Sequence, residues 1–524
     1  MEKTIIIGSR GSDLALWQAN FLKEELKELG YTSEIKIIKT QGDKIQHLSL
    51  EKLEGKGFFT KEIEDALLNK SVDVAVHSHK DLPTDFTPGL TIAAVSHRED
   101  PSEIILVRKE CVDLLKIFQL KENAIIGTSA SRRNVQLKFF RPDLICKDIR
   151  GNVPTRIEKL RKGNFDAIVL AFAGVHRLRL NLDDLHVVNV KPQKIIPAPA
   201  QGVLAFQCRE QDEFMFNILQ KINNTDVEET IAVERKVMNL FQGGCHMPLG
   251  VYCEEKNKEY SVWVAQADEK GKTLKRLFLK SNSTEQLAEK IFQTLTHTND
   301  KKVFISSPSF VADHHLQILK NSGYAVESVS FVDINRITLK NDLKLDDIDW
   351  MFFSSKNGVI HFFEQIKILP PHIKMAAIGA ETAKMIQRYG HQVEFIGEGE
   401  NALISDAFIA LAEGQKVLFP GAQNRQPDIQ EIISKYCKTT ALSVYDNHAY
   451  STKKIEADIL VFTSSLNVEG YLIDNTIDPN HITVAIGLNT KKYLSERGFT
   501  NVITPPQKSL LSIAELISGF QYAE

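Results

Sequence analysis

The stretch AIIGTSASRRNVQLKFFRPDLICKDIRGNVPTRIEKLRKGNFDAIVLA (124–171) decides the fold. Short β-branched runs alternate in it with longer stretches of helical apolar spacing, so it reads as strand Ala124–Gly127, helix Ser131–Phe140, strand Leu144–Asp148, helix Val153–Lys162 and strand Ala167–Ala171. That order predicts an α/β fold with a mainly parallel sheet covered by helices. Toward the N-terminus the same rhythm gives strand Thr4–Ile7, helix Leu14–Leu29, strand Glu34–Lys39, helix Thr60–Asn69 and strand Val72–His77. Toward the C-terminus IIPAPAQG (195–202) interrupts it and reads as a crossing segment between domains. From about Asn223 a helix leads to GGC (243–245), strand-like GVYCE and YSVWVAQA, and a helix at Thr284–Thr294, which suggests a small α+β domain.

The polar HTNDKK (297–302) marks the main boundary, and a fresh strand, Val303–Ser306, follows it. Strands are expected near 349–353, 375–378, 416–419, 458–463 and 482–486. FFSSKNGV (352–359) resembles FTSSLNVEG (462–470), and AAIGAETAKM (376–385) resembles VAIGLNTKKY (484–493). An internal duplication, or two similar α/β lobes, accounts for both pairs. The 524 residues suit several domains, and 43% hydrophobic with 25% charged residues excludes disordered and fibrous classes.

Charge is unevenly spread. Residues 121–180 hold thirteen Lys/Arg against five Asp/Glu, a net +8 in a chain whose total is −3, so the remainder sums to −11. Arg132, Arg133, Arg150, Arg156 and Arg177 fall in strand-to-helix turns, which in an open α/β sheet lie at the carboxyl ends of strands, where ligands bind. Guanidinium forks there suit carboxylate or phosphate; Lys159, Arg161 and Lys162 read instead as a solvated helix face. The segment has no interleaved aromatics, zinc-finger spacing or RNP-like run, so nucleic acid is not expected. EGKGFFTKE (54–62) only superficially resembles a phosphate-binding loop. A small polycarboxylate fits better.

VDVAVHSHKDLPTD (72–85) ends a buried-looking strand in Lys80 and Asp81, a pair placed for acid–base or ion-stabilising work; Asp81 is equally readable as a turn cap. His77 and His79 are two apart on a strand, but no third ligand has a recognisable metal-binding spacing, so they read as packing and no metal is expected. Cys245 follows two glycines in FQGGCHMPLG (241–250), either as a small core residue or as a thiol set at a loop tip. The six cysteines (Cys111, Cys146, Cys208, Cys245, Cys253 and Cys437) form no C-x-x-C pair, which points to a reducing compartment. The N-terminal Ile run is too short for a signal peptide, and Ala167–Val175 is far below the roughly 20 residues that span a bilayer. A cytoplasmic protein without membrane contact is expected.

Seven segments together resemble the successive motifs of the porphobilinogen deaminase (hydroxymethylbilane synthase) family, in that family's order, over about 1–297. They are GSRGSDLALWQ (8–18), EGKGFFTKE (54–62), DVAVHSHKDLP (73–83), IIGTSASRRNVQL (125–137), DIRGNVPTRIEKL (148–160), FDAIVLAFAGVHRL (165–178) and GGCHMPLG (243–250). FFSSKNGV, AIGAETA, LFPGA, VYDNHAY, FTSSLNVEGYL and AIGLNTKKYL resemble the uroporphyrinogen-III synthase family. A bifunctional fusion follows from the two resemblances.

The resemblance implies a two-lobed, periplasmic-binding-protein-like deaminase with a small third domain: 1–98 completed by 197–218, then 99–196, then 219–297. A two-lobed synthase comes after it, with 303–336 completed by 450–524 as one lobe and 337–449 as the other. It implies that Cys245 holds a dipyrromethane cofactor through a thioether, with Lys80, Ser129, Arg132 and Arg133 as further cofactor contacts. Asp81 is implied to stabilise the positive pyrrole nitrogen as porphobilinogen loses ammonia. Arg10, Ser12, Lys56, Arg150, Arg156 and Arg177 are implied to bind substrate. In the second family the implicated tyrosine aligns with Tyr445, as an acid for the bilane's leaving hydroxyl; a plain strand tyrosine is the alternative. Ser354, Ser355, Thr382, Ser464 and Thr490 are placed to hold substrate carboxylates. The expected partners are porphobilinogen and hydroxymethylbilane, and the chain is expected to be a monomer.

Three departures from the resemblance stand out. Ala130 and Ser131 replace the usual Ser and Leu, Ala200 replaces a usual Gly, and IGLNT lacks a common Pro-Thr. Two other readings compete: a two-lobed solute-binding module, which needs no Cys245, and a deaminase whose C-terminal part serves only for interaction.

Overall fold

The computed structural model describes residues 4–40, 60–84, 87–242, 247–268, 271–308, 313–339, 343–399, 401–424, 428–451, 453–479 and 481–520. Its contacts divide the chain into a larger unit, Met1–Lys301 with Phe310–Val326 and Pro505–Glu524, and a smaller one, Lys302–Ser309 with Glu327–Thr504.

The larger unit begins with a five-stranded sheet in the order Ser33–Ile37, Ile5–Ser9, Val74–Ser78, Leu204–Arg209, Leu90–Val95. The first three strands are parallel, and Leu204–Arg209 runs antiparallel to both its neighbours. A second sheet has the order Ile145–Lys147, Ile125–Gly127, Ala167–Ala171, Glu103–Arg108, Leu185–Val190, with Glu103–Arg108 antiparallel to both neighbours. Both sheets are therefore mixed, where the alternating pattern predicts mainly parallel ones. The chain crosses between the lobes after Val95 and again after Val190, and each crossing strand enters its new sheet reversed.

A three-stranded antiparallel sheet, Leu249–Lys256, Glu259–Ala267 and Leu274–Ser281, forms the third part. Val233, Val237, Val251, Val264 and Ile291 join one of its faces to the helices Thr225–Leu240 and Leu287–Thr296. Its other face places Trp263 and Phe278 in a cluster with Val135, Phe139 and Leu516. The helices His314–Asn321 and Leu510–Ser518 thus belong to this unit, a different division from the expected break after residue 297. Local bonds explain it: Asn321 Nδ2 donates to the Leu274 carbonyl at 2.7 Å, and Tyr324 Oη to the Ile517 carbonyl at 2.9 Å.

The smaller unit repeats one βαβαβ pattern. Trp350–Phe353, Lys356–Phe363, Lys374–Ala377, Ala380–Arg388 and Phe395–Ile396 correspond to Ile459–Phe462, Ser465–Asp474, Ile482–Ala485, Leu488–Glu496 and Val502–Ile503, with the three strands of each set parallel. Ser355 and Ser464 cap the first helices by accepting from Gly358 N and Asn467 N, and extended Gly379 and Gly487 precede the second ones. The two pairs of similar segments are therefore the same positions in two lobes. Val332–Arg336 pairs antiparallel with Lys438–Ala449, Val332 opposite Ala449, so this strand joins the sheet that was expected to begin only at residue 337. Among the described residues no helix is long and apolar enough to cross a membrane.

Candidate functional site

The strand Val74–Ser78 is almost wholly buried and stops at a single 3-10 turn, His79–Asp81, before Pro83. Burial therefore ends where the charged pair begins: Lys80 is partly covered and Asp81 is exposed. Arg235, from the Thr225–Leu240 helix, clamps this turn by donating to the carbonyls of His79, Leu82 and Pro83 at 3.3, 3.3 and 2.5 Å. His77 bonds Gln207 at 3.0 Å, and burial with nearby Arg235 pushes His79 down to about 3, so the latter is neutral at physiological pH.

Arg132 and Arg133 occupy the first turn of the Ser131–Phe140 helix, where the helix dipole disfavours cations. A buried carboxylate resolves the conflict. Arg132 Nη1 donates to Glu103 Oε1 at 2.7 Å and Arg133 Nη2 to Glu103 Oε2 at 2.6 Å. Glu103 is fully buried; burial alone would raise its carboxyl, but Arg133 and Arg132 hold it at about 2. Gln201, also fully buried, accepts at Oε1 from Lys80 Nζ and from Arg132 Nη2, both at 3.2 Å, while its Nε2 donates to the Pro101 carbonyl at 2.7 Å.

Arg150 and Arg156 come from the next turn. Gly151 makes that turn at φ +113°, where a Cβ would lie 2.7 Å from Thr155 Cγ2, and Asn152 caps the following helix. Arg156 Nε donates to the Gly151 carbonyl at 2.7 Å, and burial, with Arg133 and Arg150 adding repulsion, lowers its guanidinium to about 10. The charge of Asp81 acts on Lys80, Arg132 and Arg156. Arg133 Nε and Arg150 Nη2 are buried without a hydrogen-bond partner in the structure. Lys80, Arg132, Arg133, Arg150 and Arg156 therefore outnumber the carboxylates Asp81 and Glu103, leaving a cation cluster that suits a multiply charged anion.

The remaining expected residues have other surroundings. Arg177 Nη2 donates to the Gly202 carbonyl at 2.7 Å, its guanidinium lies 5.3 Å from the Trp17 ring centroid, and its charged neighbour is Glu99. Ser12 caps the Asp13–Glu28 helix, and Arg10 is half-buried just past the strand Ile5–Ser9. The Ser129 hydroxyl both donates to the Ile149 carbonyl at 2.7 Å and accepts from Ile149 N at 3.0 Å, so it ties the two arginine-bearing turns together. Lys56 and Cys245 lie outside the described residues.

Glu103, Gln201 and Arg235 escape a sequence reading. For Glu103 a signal exists: a lone carboxylate heads the apolar strand EIILV (103–107), and such a group is buried only with a partner.

In the smaller unit, Ser354, Ser355 and Thr382 stand after the carboxyl ends of two parallel strands, and Ser464 and Thr490 at the equivalent places of the other lobe. Tyr445 is buried on the strand Lys438–Ala449, at a bulge where Ala422 comes opposite it. Its phenol oxygen is 3.3 Å from Ser355 Oγ, and the His361 ring lies 5.5 Å from its own. Gly358 lets the following helix approach: a Cβ there would lie 2.8 Å from the Pro420 carbonyl oxygen.

Comparison with known proteins gives two family matches. The model described as "Porphobilinogen deaminase, dipyromethane cofactor binding domain" matches residues 5–217, and "Uroporphyrinogen-III synthase HemD" matches residues 313–515. A porphobilinogen deaminase of Oceanobacillus iheyensis is 37% identical over 303 residues, covering 57% of this chain and 96% of its own. One of Helicobacter hepaticus is 42% identical over 262 residues, 50% of this chain and 80% of its own. The crystal structure of uroporphyrinogen-III synthetase from Helicobacter pylori 26695 aligns at 20% identity with a TM-score of 0.33, over 41% of this chain and 97% of that one.

Proposed function

Because the chain belongs to the porphobilinogen deaminase family and carries a uroporphyrinogen-III synthase domain, it is a bifunctional enzyme of tetrapyrrole synthesis, and we propose how its residues divide the work. The observation that carries the reading is the partly buried cation cluster around Asp81, with the buried atoms Arg133 Nε and Arg150 Nη2 lacking a hydrogen-bond partner. Buried donors and surplus positive charge favour an anionic guest. Porphobilinogen, whose pyrrole bears an acetate and a propionate, brings two carboxylates per unit.

The same donor set fits the carboxylates of a dipyrromethane, the cofactor of the matched domain. Lys80, Arg132 and Arg133 would hold it, with Cys245 as its thioether anchor, and when bound it would supply the pyrrole carbon to which the first unit is joined, each later unit joining the end of the growing chain. Asp81 places a negative charge where the incoming pyrrole nitrogen becomes positive as ammonia leaves; preorganised opposite charge lowers that barrier. Arg10, Ser12, Lys56, Arg150, Arg156 and Arg177 take the carboxylates of the growing chain. Four units and a final water give hydroxymethylbilane.

In the second unit Tyr445 protonates the bilane's departing hydroxyl, with Ser355 fixing the phenol's direction. Ser354, Thr382, Ser464 and Thr490 hold carboxylates while the last ring is inverted and the macrocycle closes as uroporphyrinogen III. The enzyme works as a cytoplasmic monomer in this reading; the free thiols Cys111, Cys146, Cys208, Cys253 and Cys437 agree with a reducing compartment.

Supplying porphobilinogen to the purified chain tests the whole scheme. Uroporphyrinogen III as product supports both activities, whereas uroporphyrinogen I, formed from released bilane, removes the synthase role. An active chain whose intact mass carries no dipyrrole on the Cys245 peptide refutes the anchor.

A further inference from the structure

The helix Ser131–Phe140, which presents Arg132 and Arg133, is backed by side chains from beyond the 297–302 connection. The Phe139 and Phe140 rings meet His314 at centroid distances of 5.1 and 5.3 Å. Leu516 shares the cluster of Val135, Phe139, Trp263 and Phe278, and Leu511 packs on the one containing Leu137 and Phe140. The contact with the third sheet is close: a Cβ on Gly519 would lie 2.1 Å from the Phe278 carbonyl oxygen.

A polar chain runs through this apolar contact. Arg276 is wholly buried and donates from Nε to Glu515 Oε1 at 2.7 Å, from Nη1 to Gln136 Oε1 at 3.0 Å and to the Lys194 carbonyl at 3.2 Å, and from Nη2 to the Gln193 carbonyl at 2.7 Å. Gln136 Nε2 donates in turn to the carbonyls of Arg132 at 3.2 Å and Ile196 at 2.9 Å. Glu515 is thus the carboxylate that balances a buried guanidinium, and that guanidinium holds the amide one turn behind the two arginines.

We propose that the chain's last helix is a working part of the deaminase: Glu515 balances Arg276, and Arg276 acts through Gln136 as a positioning residue for Arg132 and Arg133. The inference rests on the reading that those two arginines hold substrate and cofactor carboxylates. Its physical basis is that a buried arginine stripped of its counter-ion moves toward water or recruits another acceptor. Either response removes the Arg276 bond to Gln136 Oε1, which then keeps only the 2.8 Å bond from Ile196 N, and so loosens the hold on the first helical turn. The deaminase is then not separable from the synthase by deleting everything past the connection, because the deletion removes Leu516 from the cluster of Trp263, Phe278, Val135 and Phe139.

The test uses the full chain, with E515Q, R276M and the apolar pair R276M/E515L. E515Q is expected to lower the melting temperature of the larger unit by roughly 10 °C. At a temperature where circular dichroism shows every variant folded, E515Q and R276M are expected to raise the KM for porphobilinogen at least fivefold with kcat within twofold. R276M/E515L is expected to recover the melting temperature but keep the raised KM, since packing is restored and the hold on Gln136 is not. Unchanged KM in folded R276M and in the double variant overturns the positioning role, and an unchanged melting temperature in E515Q overturns the coupling to the last helix. A wild-type chain that consumes no porphobilinogen overturns this proposal together with the reading beneath it, whereas wild-type turnover with unchanged variants overturns this proposal alone.

Discussion

Lys80 Nζ donates to Gln201 Oε1 at 3.2 Å, and that same oxygen accepts Arg132 Nη2 at 3.2 Å. One neutral amide in the segment returning from the second lobe thus spaces a cation of the first lobe from a cation of the second. It does so without neutralising either, so that Glu103 is the carboxylate paired with Arg132 and Lys80 keeps its charge toward a ligand.

Gln201→Ala removes that spacer from a fully buried position. A hydrogen bond to a charged group is worth about 1.5–3 kcal/mol, so kcat/KM for porphobilinogen is expected to fall roughly tenfold or more, mostly through KM. Steady-state kinetics on the folded variant reads it. A loss confined to kcat would contradict the spacing role.

Asp81 is exposed, so Asp81→Asn is expected to leave the circular dichroism spectrum and melting temperature unchanged. Loss of a preorganised charge at a developing cation costs about 10²-fold or more in kcat. Near-normal turnover would remove Asp81 from the chemistry.

The buried charges set opposite pH dependences. Burial lowers the Lys80 ammonium to about 8, against the pull of Asp81, while the unfolded chain keeps that proton to about pH 10. Between those values the unfolded state binds more protons, so this group makes stability rise with pH. Activity has the reverse slope: kcat/KM is expected to decline above about pH 8 as the cation is lost, and Lys80→Arg is expected to move that limb upward. Glu103, which Arg133 and Arg132 hold at about 2 against its burial, contributes stability that is present above about pH 4.3 and is lost as pH falls toward 2. Denaturant titrations across pH, with Glu103→Gln as the comparison, check the acid limb; an identical acid slope in that variant would refute the assignment.

Ala200 has φ +60°, in the left-handed region that costs a side-chain-bearing residue roughly 1–2 kcal/mol. Its amide donates to Glu234 Oε2 at 2.6 Å, which keeps it there. Ala200→Gly relieves the strain at some cost in unfolded-chain entropy, so a net gain of about 0.5–1 kcal/mol is expected. The shift of the denaturant midpoint measures it, and a destabilised variant would show that the methyl group's packing outweighs the strain.

Tyr445→Phe keeps the ring in its core and removes the oxygen facing Ser355. Cyclisation is expected to slow roughly 10²-fold, so that the isomer ratio moves from uroporphyrinogen III to I while total bilane formation stays constant. An unchanged ratio would return Tyr445 to a packing role.

Periodic and capping signals are local, which is why the helix Ser131–Phe140 and the strand Ala167–Ala171 have the bounds their sequences imply. The repeat that pairs Ser355 with Ser464 and Gly379 with Gly487 was legible for the same reason, while their places at the helix starts came from the structure. The turn arginines could be placed at strand ends from spacing alone. Arg177 could not be distinguished from the others, since only the fold gives it Trp17 and Glu99 as neighbours.

Sequence alone determined the α/β rhythm, the repeat in the second half and the +8 segment, because each is written in residues a few positions apart. Tertiary structure decided the rest. It reversed the strands Glu103–Arg108 and Leu204–Arg209 and brought Glu103 to Arg132 and Arg133, Gln201 to Lys80, and Glu515 to Arg276 across 239 positions. Burying a charge is unfavourable until its partner arrives, and partners so distant in the chain meet only when the whole unit has closed around them.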